Sequence, residues 1–222
     1  MFDARDFFVG LIVILLSITL HEFGHAFSAD RLGDPTPRSQ GRVTLWPDKH
    51  LDPIGTVMII FTLLSGFGLG WGKPVMYNPR YFKSYRWGTF ITKICGPLMN
   101  LLIALVVGLI LRICITTGHI EWMYQRGGDG FSLYGLFAVE LLMINLGLMF
   151  FNLIPVHPLD GQKILSSLMP MDMGQRFDIF MEQYGMIFLL IVAVSGGSII
   201  RPILSPAIHH AAQLIVGYPL FG

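Results

Sequence analysis

Apolar runs near the length needed to cross a bilayer recur along this chain, and no other feature restricts its fold as strongly. Spanning the hydrocarbon takes roughly 20 residues of helix, and within it every backbone polar group must find its partner inside the protein. The runs are Phe7 to Arg31, Ile54 to Leu69, Thr89 to Ile115, Leu133 to Ile154 and Tyr184 to Ile200. Of the 222 residues, 53% are hydrophobic and 13% charged, against about 25% charged in an ordinary soluble domain. The sequence predicts an all-α polytopic membrane protein with about four full transmembrane helices. Ile54–Leu69 is the exception: it is short and runs into the glycine-rich "SGFGLGWGKP", which suits a re-entrant segment buried against protein.

Between the runs, "TPRSQGRVTLWPDKHLDP" at 36–53 is polar and proline-punctuated, with a strand-like core from Arg42 to Trp46; a surface loop or a short interfacial β-hairpin is expected there. Residues 162–170 are expected to form a short helix, and the tail from Arg201 a C-terminal amphipathic helix at the interface. The first run follows "DARD" at 3–6 and carries a polar cluster, so it is expected to remain a membrane helix rather than a cleaved leader. No repeat or linker divides the chain, so residues 1–222 are expected to be a single membrane domain. A net charge of +1 argues against nucleic acid as a partner; the lipid bilayer is the partner that the composition demands. Cys95 and Cys114 fall on one expected helix. At ~1.5 Å rise per residue they stand about 28 Å apart, beyond disulfide reach.

The first run contains "LHEFGHAF" at 20–27. Ionisable groups in hydrocarbon are costly and mark function. His21 and His25 are spaced i, i+4, so a helix projects both from one face, where two imidazole nitrogens can share a metal ion. Glu22 lies on the same turn, placed to act as general base on a metal-bound water without being a ligand. This is the H-E-x-x-H geometry of zinc hydrolases. A catalytic zinc needs a third protein ligand, and Asp160, His157, His50, Asp52 and Glu140 are the candidates. Asp160 lies in "PLDG", which taken alone is an ordinary turn.

"HEFGH", "GPLMN" at 96–100 and "NLIPVHPLDG" at 152–161 together resemble the site-2 protease family of intramembrane zinc metalloproteases, in its short form without PDZ or CBS domains. The resemblance covers residues 7–170. It implies one Zn²⁺ per chain, held by His21, His25 and Asp160, with Glu22 as the general base. It also implies that Asn152 or Asn100 hydrogen-bonds substrate or a developing oxyanion, and that the substrates are transmembrane helices of other proteins. His157 departs from the family, many of whose members have proline there; it is a rival ligand, a proton relay or a rim residue facing water, and the rim is favoured.

Chain direction tests this arrangement. The histidines lie near the C-terminal end of the first run, and Asp160 lies just past the C-terminal end of the fourth. Both ends must face one side, so one intervening run fails to cross, and Ile54–Leu69 is the short one. The loops at 30–53 and 72–88 then share a side and carry Arg31, Arg38, Arg42, Lys49, Lys73, Arg80, Lys83 and Arg86, whereas 116–132 carries Arg126 alone. The positive-inside rule makes the metal side cytoplasmic in a plasma membrane.

The expected activity is that of a zinc endopeptidase acting in or near transmembrane segments, with residues 40–50 as a strand edge for an unwound substrate. The rival readings are an intramembrane metal or ion transporter and a non-catalytic member that binds membrane helices. A regulatory membrane partner or a homo-oligomer is compatible with either.

Overall fold

The computed structural model describes residues 3–66, 68, 70–124, 131–195 and 197–218; Arg126 lies outside them. The helices are α1 (Ala4–Arg31), α2 (Thr36–Ser39), α3 (Pro53–Ser65), α4 (Tyr85–Thr116), α5 (Leu133–Asn152), α6 (Asp160–Leu168), α7 (Met171–Val194) and α8 (Arg201–Val216). Of these, α1, α4, α5 and α7 are long and apolar enough to cross a membrane. Their ends carry ordinary helix signals. The Asp3 side chain caps α1 by accepting from the Arg5 N–H, and Ser132 caps α5 by accepting from the Gly135 N–H.

Contacts along the helices fix their direction. Arg5, at the start of α1, donates to the Phe131 carbonyl just before α5. Further along, Ser17 meets Asn145; near the other end, His21 and His25 meet Asp160, which follows α5. So α1 and α5 run parallel. Thr92, near the start of α4, meets His25, while Asn100, two turns later, meets His21; α4 is therefore antiparallel to α1. The apolar core lies between α4, α5 and α8, around Ala104, Leu111, Leu142, Leu146, Met149, Ala212 and Val216. A smaller cluster of Val9, Val13 and Leu136 joins α1 to α5.

Several expectations are adjusted. The helix of the third run starts at Tyr85 rather than Thr89 and continues through Pro97. The last span begins at Met171 rather than Tyr184. Its first turns are charged and so fall below the hydropathy of a span, and two of those charges, Asp178 and Glu182, pair with Lys163 of α6. The C-terminal helix is present, but it packs on α4 and α5 through Ala212 and Val216 rather than lying alone at the interface.

Of the two alternatives for 36–53 the structure shows the loop, and neither the β-hairpin nor a strand edge at 40–50 is found. No strand is assigned among the described residues, and this stretch holds a loop and a 3-10 turn at Pro47–Lys49. Proline at 37, 47 and 53 removes ladder donors, and Gly41 turns the chain at φ +66°. What pairs instead is a single antiparallel bridge, Leu51 with Gly72, beside a Lys73 N–H to His50 carbonyl bond of 2.8 Å. The chain thus leaves along α3 and returns extended against it. At ~1.5 Å per residue the 13 residues of α3 reach about 20 Å, short of the roughly 30 Å of bilayer hydrocarbon.

Candidate metal centre

One turn of α1 places the two histidine rings 4.6 Å apart, edge to face, with their Nε2 atoms 3.0 Å apart. Asp160, the first residue of α6, brings Oδ2 to 3.1 Å from each Nε2. The trio is buried, at 7%, 4% and 5% exposure for His21, His25 and Asp160. Among the described residues it is the one group of His, Cys, Asp or Glu whose donor atoms converge closely enough for a metal ion.

Two observations fit this trio to zinc. Asp160 Oδ2 is buried with no hydrogen-bond partner, although it faces two imidazole nitrogens; three electron pairs pointed at one spot call for a cation. Tetrahedral zinc with bonds of about 2.0–2.1 Å sets its ligand atoms roughly 3.3 Å apart, close to the triangle of 3.0 and 3.1 Å seen here.

The far sides of the ligands are fixed as well. His21 Nδ1–H donates to Asn100 Oδ1 at 2.7 Å, and His25 Nδ1–H donates to the Thr92 carbonyl at 2.7 Å. Each bond leaves Nε2 with its lone pair facing inward, as metal-ligating histidines require. Lys93 Nζ donates to Asp160 Oδ1 at 3.0 Å, so Oδ2 alone faces the histidines. Helix α4 can supply all these partners only because two glycines let it approach α1. A Cβ on Gly96 would lie 2.3 Å from His25 Nε2, and one on Gly24 would lie 2.7 Å from the Cys95 carbonyl oxygen.

Glu22 is not among the converging donors. Its carboxylate turns toward the returning segment, residues 70–75, where Oε2 accepts from the Val75 N–H at 3.1 Å and lies 3.9 Å from Arg42 Nη2. Arg42 is 3% exposed and donates to the Lys73 and Pro74 carbonyls, tying loop 40–50 to the segment that meets Glu22.

The other residues singled out in the sequence lie elsewhere or serve differently. Asn100 is fully buried and spends its carbonyl oxygen on His21. Asn152 donates to the Leu148 carbonyl of its own helix. His157 Nδ1 pairs with Gln162 Oε1 at 3.0 Å, His50 with the Thr44 carbonyl, and Asp52 caps α3. Glu140 sits in the N-terminal half of α5. Sequence reasoning passed over Lys93, Asn145, Ser17 and the structural role of Arg42. A lysine and an asparagine inside apolar runs were visible signals, but nothing in the sequence says what they face.

Known proteins bear on this geometry. The family model described as Peptidase family M50 matches residues 132–194, which include α5, Asp160 and α7. A Bacillus subtilis protein named as a zinc metalloprotease, YwhC, is 36% identical over 199 residues, covering 88% of this chain and 85% of its own length. The zinc metalloprotease Rip2 of Mycolicibacterium smegmatis is 26% identical over 194 residues, covering 85% of this chain and 69% of its own length. Rip2 of Mycobacterium tuberculosis is 27% identical over 179 residues, covering 80% of this chain and 63% of its own. No solved structure matches.

Proposed function

This chain belongs to peptidase family M50, the site-2 protease family of zinc metalloproteases, and we propose that it cleaves peptide bonds in or near transmembrane segments of other membrane proteins, with Glu22 as the general base. It is a multi-pass membrane endopeptidase that uses zinc. The proposed ligands are His21, His25 and Asp160. The observation that carries this assignment is the convergence of Nε2, Nε2 and Oδ2 within 3.1 Å of one another in a buried site.

When bound, zinc supplies Lewis acidity toward water and the scissile carbonyl. The residues do the rest. Glu22, adjacent in sequence to His21 but outside the ligand set, takes the proton from the attacking water and passes it to the departing amine nitrogen. Asn100 holds His21 in place rather than meeting substrate, since its amide is already committed. Asn152, at the C-terminal end of α5, remains the candidate to hydrogen-bond the substrate. The doubled-back α3 with residues 70–75 is proposed to enter and leave the bilayer on one side, the side of the metal, and the arginine and lysine bias of loops 30–53 and 72–88 supports a cytoplasmic side at the plasma membrane.

The test compares membrane-protein fragments in cells carrying wild type with those carrying Glu22→Gln. Fragments ending within or beside spans should appear only with wild type. Equal fragment sets would sink the proposal, provided the variant still binds zinc.

A further inference from the structure

The buried polar groups behind His21 form a chain with one permitted direction. The Ser17 hydroxyl donates to the Val13 carbonyl at 2.7 Å, so its oxygen accepts from Asn145 Nδ2 at 2.8 Å. The same Nδ2 group donates to the Leu141 carbonyl at 2.8 Å. Asn145 Oδ1 is thereby turned toward Asn100 and accepts from Asn100 Nδ2 at 2.9 Å. Asn100 Oδ1 then faces His21 and accepts from Nδ1–H at 2.7 Å. Ser17, Asn100 and Asn145 are all 0% exposed.

A side-chain amide can turn over, exchanging its oxygen for its nitrogen. Here a reversal at either asparagine is penalised. Turning Asn145 over would set its oxygen against the Leu141 carbonyl, acceptor against acceptor. Turning Asn100 over while Asn145 stays would set oxygen against oxygen between the two amides and NH₂ against N–H at His21. Reversing the whole row would make Asn100 a donor to His21 and move the imidazole proton to Nε2, the nitrogen that faces Asp160 and His25. Carbonyls only accept, so those of Val13 and Leu141 set the direction from one end. Each mismatch buries unsatisfied polar groups, whose desolvation nothing repays.

We propose that Asn145 is a positioning residue for the metal centre: acting through Asn100, it fixes which ring nitrogen of neutral His21 carries the proton and so keeps the Nε2 lone pair available to zinc. This rests on the assignment of His21 as a ligand. Asn145 touches neither metal nor substrate, and its effect reaches the site through the orientation of one amide.

The test measures zinc dissociation constants on the full chain in detergent, by competition with a chelator. Asn145→Leu removes the nearer of the two acceptors that orient Asn100, leaving the Ser17 carbonyl at 3.4 Å, and should weaken zinc about tenfold, the lower end for loss of an outer-shell partner. Asn145→Asp keeps an acceptor facing Asn100 and should stay within about twofold of wild type, although a buried carboxyl is a worse occupant of this position than leucine. In an Asn100→Asp background His21 meets an acceptor whichever way the side chain turns. There the penalty of Asn145→Leu should vanish, which a purely structural role would not produce. Wild-type affinity in folded Asn145→Leu, or an undiminished penalty in the Asn100→Asp background, overturns the proposal. If Asn145→Leu does not fold, Asn145→Asp decides, and a tenfold loss there overturns it. His21→Ala separates the premise: if that variant keeps zinc, the ligand assignment has failed rather than the chain behind it.

Discussion

His21 and Glu22 are neighbours in sequence, yet the structure secures them with different materials. The ligand side is held by helix-borne groups: Asn100, Thr92 and Lys93 on α4, with Asn145 on α5 behind them. The Glu22 side is held by irregular chain, namely the Val75 N–H and an arginine hooked onto two carbonyls of the returning segment. Helical partners are already ordered by their own backbone bonds, so each bond between them costs little further entropy. Loop partners stay only while the loop stays, and such segments open at low free energy. On the proposed roles of His21 and Glu22, metal affinity and base position are therefore separable properties of adjacent residues.

The sharpest way to break that comparison is to remove one member of each side. His25→Ala or Asp160→Asn should weaken zinc by more than the 10–100-fold that outer-shell changes cost. Glu22→Gln should leave the measured zinc content unchanged and abolish cleavage. Zinc lost from Glu22→Gln would merge the two sides, and zinc lost from His157→Ala but kept in Asp160→Asn would move the third ligand. Next in size is Gly96→Ala, whose Cβ would stand 2.3 Å from His25 Nε2. It must push α4 away from the ligands, and zinc affinity should fall on the order of tenfold. Smaller again is Arg42→Ala. It should leave zinc binding alone yet lower turnover about tenfold, as the segment beside Glu22 loses hydrogen bonds from a charged donor worth about 1.5–3 kcal/mol each. An equal loss of zinc affinity would show that loop and ligands are coupled.

The smallest effect is in pH. His50 is fully buried in the same loop, and burial pushes its pKa below the ordinary 6.5. As pH falls through 6.5 the unfolded loop takes up a proton that the folded loop refuses, so folding of the loop weakens on acidification. Hydrogen exchange in residues 42–52, corrected for its intrinsic pH dependence, should quicken between about pH 7.5 and 5.5, and His50→Gln should remove the change.

The two sides also differ in how far they were legible. The histidine pair and the short second run follow from spacing and length, which a sequence displays directly, whereas Asp160 is one of five candidates that spacing leaves open and is singled out by the family resemblance. The loop was misjudged because alternation at Arg42–Trp46 looks like a strand, whereas the arginine is in fact drawn inward by two carbonyls from thirty residues away. Lys93 and Asn145 were hidden for another reason. Each is a single polar residue in an apolar helix, and its purpose appears only once a second helix places Asp160 or Asn100 opposite. The start of α7 was missed because its charged first turns face Lys163 rather than lipid.

The Lys93–Asp160 contact bears on the order in which this enzyme is assembled. The carboxylate of the ligand set is matched by one ammonium at 3.0 Å, and Glu22 is matched by the Arg42 guanidinium at 3.9 Å. With neutral histidines these formal charges sum to zero before any cation arrives. Small zinc domains are held open by ligands that cannot pack without their ion. Here electroneutrality is supplied by the polypeptide, so the bundle can insert and close first and receive its metal as a late, exchangeable addition.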